Sequence, residues 1–343
     1  MTNRMIAVII LCMATVFSRA ETEKVKQTND FYDDEKTISL PAETLQVNGE
    51  IANPGNVTLS TLPLRSVIVK EAVSKGGKNT FIGAYRYDGY SLSDILNTYQ
   101  LKKKNEAEFR GCIDTYITVE NKHGEKVVFS WGEIYYPNNR HSIIIATKVM
   151  RIVPSKTKDL WPLPKTSRVV AACDLLTERN ISSPTKITVH SFPRSYKGPK
   201  GLTPLVADTL SFINSSTKDT LLLSSLPDSL QRLSYNTVFY GRGRGIHGIS
   251  TFKGIPLKRV VSAHMPQTEQ RIRRGILCFA APDGYRCTFT YSELVNRNDQ
   301  AEVLLMEVPK GESGSRFKLF ASGDFFSDRA IKAIYEIYGT LAE

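Results

Sequence analysis

Apolar and polar positions alternate through residues 115–121, where Ile117 and Val119 share a face, and through 126–130, where Val127 and Phe129 share one. Lys122-His123-Gly124 interrupts them. A period of two on both sides of a glycine-bearing break predicts a β-hairpin. The pattern returns without a gap. TYITVENKHGEKVVFSWGEI at 115–134 is matched by GILCFAAPDGYRCTFTYSEL at 275–294, whose break is Ala281-Pro282-Asp283-Gly284. Upstream of each hairpin the period lengthens. Leu92, Ile95, Leu96 and Tyr99 fall on one helical face behind a capping-box-like Ser91 and Asp94. Leu257, Val260 and Val261 do the same behind Pro256, a residue tolerated in a helix's first turn. Gly89 and Gly254, just before these helices, read as sharp turns of the chain.

Other phrases also occur twice. LSTLP at 59–63 returns as LSSLP at 223–227, and YDGYSLSDIL at 87–96 returns as FKGIPLKRVV at 252–261. CDLLTERNI at 173–181 returns as GDFFSDRAI at 323–331. The order is the same in both halves, which predicts a tandem duplication. The first unit spans 40–192 and the second 205–343. Residues 193–204, rich in Pro, Gly and basic side chains, read as a linker. Each closing phrase leads into a last strand, at 187–189 and 337–338.

Composition agrees with two globular units. The chain has 343 residues, 41% of them apolar, with 15 tyrosines and 15 phenylalanines. That is about two domains of ~150 residues, each with a real core. Arg4, the apolar run 5–17 and Ser18-Arg19-Ala20 have the form of a cleaved signal peptide over residues 1–20. The run is short for a membrane span, which needs about 20 apolar residues. The expectation is export without a membrane span after cleavage, to the periplasm of a Gram-negative cell or otherwise into the medium. Residues 21–39 then form a mobile polar N-terminus.

Losing Arg4 and Arg19 lowers the formal net charge from +11 to +9. Such a surface favours anionic partners. The cations are scattered, with one run (Lys102-Lys103-Lys104) and no interleaved aromatics, so nucleic acid is not an expected partner. Four cysteines remain, Cys112, Cys173, Cys278 and Cys287, with no CxxC, and the histidines show no ligand spacing. No metal site is expected.

The repeated phrases together resemble the molybdopterin-binding domain of the sulfite-oxidase-type family. The shared frame is LxxLP, an aromatic-x-Gly block leading into a helix, a strand ending in Asp-Gly-Tyr, and Gly-Asp then Asp-Arg before a final strand. The second copy carries it most fully, at 252–261, 281–294 and 316–334, whereas the first has His123-Gly124-Glu125 in place of Asp-Gly-Tyr. The resemblance covers nearly all of residues 45–338. It implies an α+β fold of two consecutive mixed α/β units, each with a pocket for a molybdopterin cofactor. It also implies a cysteine thiolate on the metal, from the stretch before the aromatic-x-Gly block. That stretch is 64–88 in one copy and 228–253 in the other, and neither contains cysteine. No second arginine stands beside Arg4 to mark export of a folded, loaded protein. The expected function is therefore that of a non-catalytic exported protein without cofactor, binding an anionic small molecule or an envelope protein. A molybdenum-cofactor-dependent oxidoreductase and a structural envelope docking protein are the alternatives.

Candidate site residues follow from these readings. In TVFYGRGRGIHG at 237–248, Arg242, Arg244 and His247 stand among glycines that could bring N–H groups to an anion. An exposed loop is the plainer reading. Lys78 and Arg86 hold the corresponding stretch of the first copy. Arg179 and Arg329, each five residues past an aspartate, either brace a turn or reach a ligand. Cys278 and Cys287 flank a turn at near-opposed positions, as a cross-strand disulfide or as two unpaired core thiols.

Overall fold

The structure, a computed structural model, describes residues 35–199, 202, 205–243, 245–299, 301–309 and 315–343. The expected signal peptide, most of the polar N-terminus, part of the linker and Arg244 lie outside them.

The first half opens with β1 (Ile38–Ser39), β2 (Gln46–Gly49) and β3 (Gly55–Asn56). A long hairpin follows, β4 (Arg65–Lys75) and β5 (Lys78–Ser91), and runs into α1 (Leu92–Leu96). Next come β6 (Thr115–Asn121), β7 (Lys126–Ser130) and α2 (Trp131–Tyr135). The half ends with β8 (Ile143–Arg151), β9 (Arg168–Ala171) and β10 (Pro184–Ser191).

The second half repeats this order. It begins with β11 (Leu210–Asn214) and β12 (Asp219–Leu223), then the hairpin β13 (Leu233–Gly241) and β14 (Gly245–Pro256). After α3 (Leu257–His264) it adds α4 (Glu269–Arg274), whose counterpart in the first half is only a single 3-10 turn, Cys112–Asp114. It continues with β15 (Gly275–Ala280), β16 (Arg286–Thr290), α5 (Tyr291–Val295), β17 (Val303–Glu307), β18 (Phe317–Ala321) and β19 (Glu336–Leu341).

Each half builds two sheets. One has the order β3-β2-β10-β6-β7, matched by β12-β11-β19-β15-β16. The other carries β4, β5, β8 and β9, matched by β13, β14, β17 and β18. Even the register agrees. Ile117 lies opposite Phe129 as Leu277 lies opposite Phe289, and β2 runs parallel to β10 as β11 does to β19. The alternating residues Ile117, Val119, Val127 and Phe129 enter one core with Leu92, Ile95 and Leu96 of α1, and Leu277, Phe279, Cys287 and Phe289 enter the other with α3.

This is not the α+β sulfite-oxidase-type fold that the resemblance implied. Of the described residues 44% are strand and 13% helix, in four small sheets arranged as a four-bladed β-propeller. The helical phrases were real but short. Ser91 caps α1 by accepting from the Asp94 N–H, as its spacing predicts, yet the helix is only five residues long. The stretches 64–88 and 228–253, where the resemblance would place a metal-ligand cysteine, are β-hairpins. Gly76-Gly77, at φ 55° and 79°, turns β4 into β5, and such a pair is itself a hairpin signal. Ile38 and Ser39, expected to be mobile, pair with Val149 and Lys148 of β8.

Gly89 and Gly254 are also corrected: both lie within strands. A Cβ on Gly89 would stand 2.1 Å from the Ile145 carbonyl oxygen, and one on Gly254 2.6 Å from that of Leu305. These glycines let β5 and β14 lie close against β8 and β17. Gly89→Ala is therefore expected to destabilise the protein by roughly 1–3 kcal/mol in urea denaturation. Gly55→Ala, with nothing near its Cβ, should change little.

Candidate functional site

Each closing phrase packs against the opposite half in a backbone bridge, Asp174 pairing with Arg297 and Asp324 with Pro137. Arg179 donates from Nε and Nη2 to both oxygens of Asp174, at 2.8 and 2.6 Å, and from Nη1 to Glu133 Oε1 at 2.7 Å. Arg329 donates in the same way to both oxygens of Asp324, at 2.7 and 2.6 Å, and forms an ion pair with Glu293 at 2.6 Å. Each guanidinium also lies over a phenylalanine ring, Phe129 or Phe289, at 4.4 and 4.0 Å. Ser130 caps α2 and donates to Glu293 of the other half at 2.8 Å. Thr290 caps α5 and donates to Glu133 at 3.0 Å. Backbone bonds close the clasp on both sides, Leu175 N–H to the Asn296 carbonyl and Phe325 N–H to the Tyr136 carbonyl, both 2.7 Å.

Arg179 and Arg329 are thus buried and saturated, and they act as internal braces. Burial disfavours their charge, but the carboxylates beside them outweigh it and hold both pKa values above the usual guanidinium range. Two guanidinium groups face four carboxylates here. Burial accordingly raises Glu133 to about 7; Arg179 opposes the shift and Glu293 adds to it. Asp324 is raised by the same burial. Gly132 leaves room for this lattice, since a Cβ there would meet the Arg329 guanidinium at 2.4 Å. The Ser-x-x-Glu and Thr-x-x-Glu spacings at 130–133 and 290–293 announced the two caps. That each hydroxyl would bond the other half's glutamate was not readable from spacing.

The open site lies beside β13. A cleft of about 700 Å³ is lined by Asn236, Thr237, Val238 and Tyr240 of that strand, by Ile246, by residues 322–325, and by Asn138 from the first half. Strand β13 is the edge of its sheet, and among the described strands it pairs with β14 alone. Its far end is held where Ser327 donates to the Tyr240 carbonyl at 3.0 Å and the Arg242 N–H donates to Asp328 at 3.4 Å. Tyr240 stacks on Phe326 at 5.5 Å, with Phe325 edge-on. Apolar surface is left in the open: Val238 is 51% exposed, Ile246 71% and Phe325 53%.

The other sequence candidates scatter. Arg242 is paired with Asp328 at 3.1 Å, and Tyr136 donates to the same carboxylate at 2.9 Å. His247 is exposed on β14, 5.5 Å from the Phe239 ring. Lys78 is exposed where β5 begins, whereas Arg86 bonds Thr37 and Asp88. None of these four lines the cleft beside β13.

The disulfide reading is corrected as well: Cys278 and Cys287 are free. Cys278 lies opposite Thr288 and Cys287 opposite Phe279, an offset of one residue that sends the two thiols to opposite faces of the sheet. Cys278 joins a cluster with Tyr116, Val128 and Tyr196, while Cys287 enters the core of the second half. Burial pushes both thiols above their usual range. Cys112 and Cys173 are half-buried, and no cysteine lines the cleft. A thiolate-held metal does not fit this lining. Among the described residues, no three His, Cys, Asp or Glu side chains are placed to hold a metal, and no helix is long and apolar enough to cross a membrane. No family model matches the chain, and no curated protein matches it.

Two outcomes follow from the buried lattice. Arg329→Met leaves Asp324 and Glu293 uncompensated and should cost roughly 3–5 kcal/mol in urea denaturation. Glu133 holds its proton more tightly when folded than its ordinary value of 4.5, so its neutral form favours the fold. That contribution is lost as pH rises from about 4.5 through about 7. Glu133→Gln, always neutral, should therefore gain in Tm relative to the parent as pH goes from about 5 to about 8.

Proposed function

We propose that this is a non-catalytic docking protein, which takes an extended segment of a partner protein along the open edge of β13. The observation that carries this reading is the pairing of an unpartnered strand edge with an adjoining cleft and exposed apolar side chains. An incoming strand gains main-chain hydrogen bonds from such an edge, and alternate side chains find a pocket beside it. Val238, Ile246 and Phe325 supply the apolar wall, and Asn138 and Asn236 supply amide groups. An anionic small molecule is less well served. Arg242 is already paired, Arg179 and Arg329 are buried, and Arg86 has partners of its own. Export by residues 1–20 is part of the same proposal and rests on their composition alone.

Selection of binders from a displayed dodecapeptide library tests the reading. Selected peptides should protect the amides of Leu233–Gly241 from hydrogen exchange and lose about ten-fold or more in affinity for both Val238→Glu and Asn236→Pro. Sulfate and phosphate should leave Tm unchanged. Binding indifferent to both substitutions would overturn the proposal, as would stabilisation by sulfate that disappears in Arg242→Ala.

A further inference from the structure

The turn of each hairpin faces a segment of the other half, and the two resulting clefts are equivalent by the internal repeat. The first, of about 590 Å³, lies between residues 124–126 of the β6–β7 turn and Glu269, Gln270, Arg273 and Arg274 of α4. The second, of about 450 Å³, lies between residues 283–285 of the β15–β16 turn and residues 107–111. Across the second runs the chain's own connection between halves. Tyr196, Lys197 and Gly198 line it. Tyr196 is buried, and its N–H and the Ser195 hydroxyl both donate to Glu108, at 2.8 and 2.7 Å. The molecule thus displays what such a cleft accommodates, an extended stretch of polypeptide. No described residue crosses the first.

The charges differ in a way that specifies an occupant. Arg286 opens β16 and Lys126 opens β7. Asp114 stands just before β6, and Arg274 is the last residue before β15. Behind the second cleft the buried Arg286 is paired with Asp114 at 3.0 Å and with Glu108 of the cleft wall at 2.6 Å, and Lys103, which also takes Asp114, completes a balanced set of two cations and two carboxylates. In the first cleft the matching pair is Lys126 and Arg274, two cations. The nearest carboxylate to Lys126 is Glu120 at 3.8 Å, and Arg273 is shared by Glu125 and Glu269 at 3.0 and 3.2 Å. The Arg274 side chain has no hydrogen-bond or ion-pair partner among the described residues, though it lines the cleft. Three cations face two carboxylates, and the counter-charge built into one cleft is missing from the other.

We infer that the first cleft binds an extended acidic segment of a partner protein, whose carboxylates meet Arg274 and Lys126. The segment lies as residues 194–198 lie in the second cleft, and its own carboxylates supply the counter-charge that Glu108 and Asp114 supply there. This site is separate from the edge of β13 and stands or falls without it.

Two fluorescein-labelled hexapeptides test the inference by anisotropy. One is the chain's own connection, Pro-Arg-Ser-Tyr-Lys-Gly; the other is its charge-reversed form, Pro-Glu-Ser-Tyr-Glu-Gly. The acidic peptide should bind the full protein about ten-fold or more tightly than the basic one and weaken on raising salt to about 0.5 M. The double variant Lys126→Glu, Arg274→Glu should remove about ten-fold or more of that affinity with its Tm retained, while Val238→Glu leaves it intact. If that variant fails to fold, Arg274→Gln, which only removes the charge, should reduce binding in the same direction. Equal binding of both peptides, no saturable binding, or binding unchanged by loss of Arg274 would each overturn the inference. Displacement of the peptide by an equal concentration of inorganic sulfate would also overturn it, because it would show a simple anion site.

Discussion

The reciprocal lattice of Arg179 and Arg329 with Asp174, Glu133, Asp324 and Glu293 is the constraint on which the rest depends. Charges buried at this depth are tolerated only when each has partners in good geometry. Satisfying them fixes the relation of α2 to α5 and of each closing phrase to the opposite half. The surfaces outside that clasp inherit their positions from it. Asn138, just beyond α2, reaches the cleft beside β13, and Tyr136 bonds Asp328 next to Arg242.

Burial and exposure divide the basic residues by role. Cations inside the contact between halves brace carboxylates and leave nothing for a ligand. Arg242, near the open cleft, is engaged by Asp328, and the surface left exposed there is that of Val238, Ile246 and Phe325. Arg274, whose side chain has no hydrogen-bond or ion-pair partner among the described residues, lines the cleft beside α4 instead. A net charge of +11 says little about where an anion would be received until these pairings are subtracted.

The repeat, both turn-flanked hairpins and the last strands were legible in the sequence because alternation and turn chemistry are local. Ile117, Val119, Val127 and Phe129 face the core their spacing assigned to them. The fold class was not legible. Phrases with a helical period were too short to make layers, and the long hairpins β4–β5 and β13–β14 were hidden behind glycine-rich runs that suggested loops. Cys278 and Cys287 show the limit most sharply: a one-residue register offset, invisible in spacing counts, decides which face a thiol takes. The arginines of the closing phrases stood out in the sequence with the aspartates they brace, but Glu133 and Glu293, and the hydroxyls of Ser130 and Thr290 that tie each glutamate to the opposite half, come from elsewhere in the chain and carry no signature of that pairing.

The exchange of hydroxyl and carboxylate between Ser130–Glu293 and Thr290–Glu133 has a consequence for how such a molecule could arise. A single-copy ancestor with this motif could bury the same atoms only by meeting itself around a two-fold axis, as a homodimer. Joining the copies in one chain makes that encounter intramolecular and independent of protein concentration. It also frees each side to change alone, and the unlike charges at Asp114 and Arg274 are what such freedom permits.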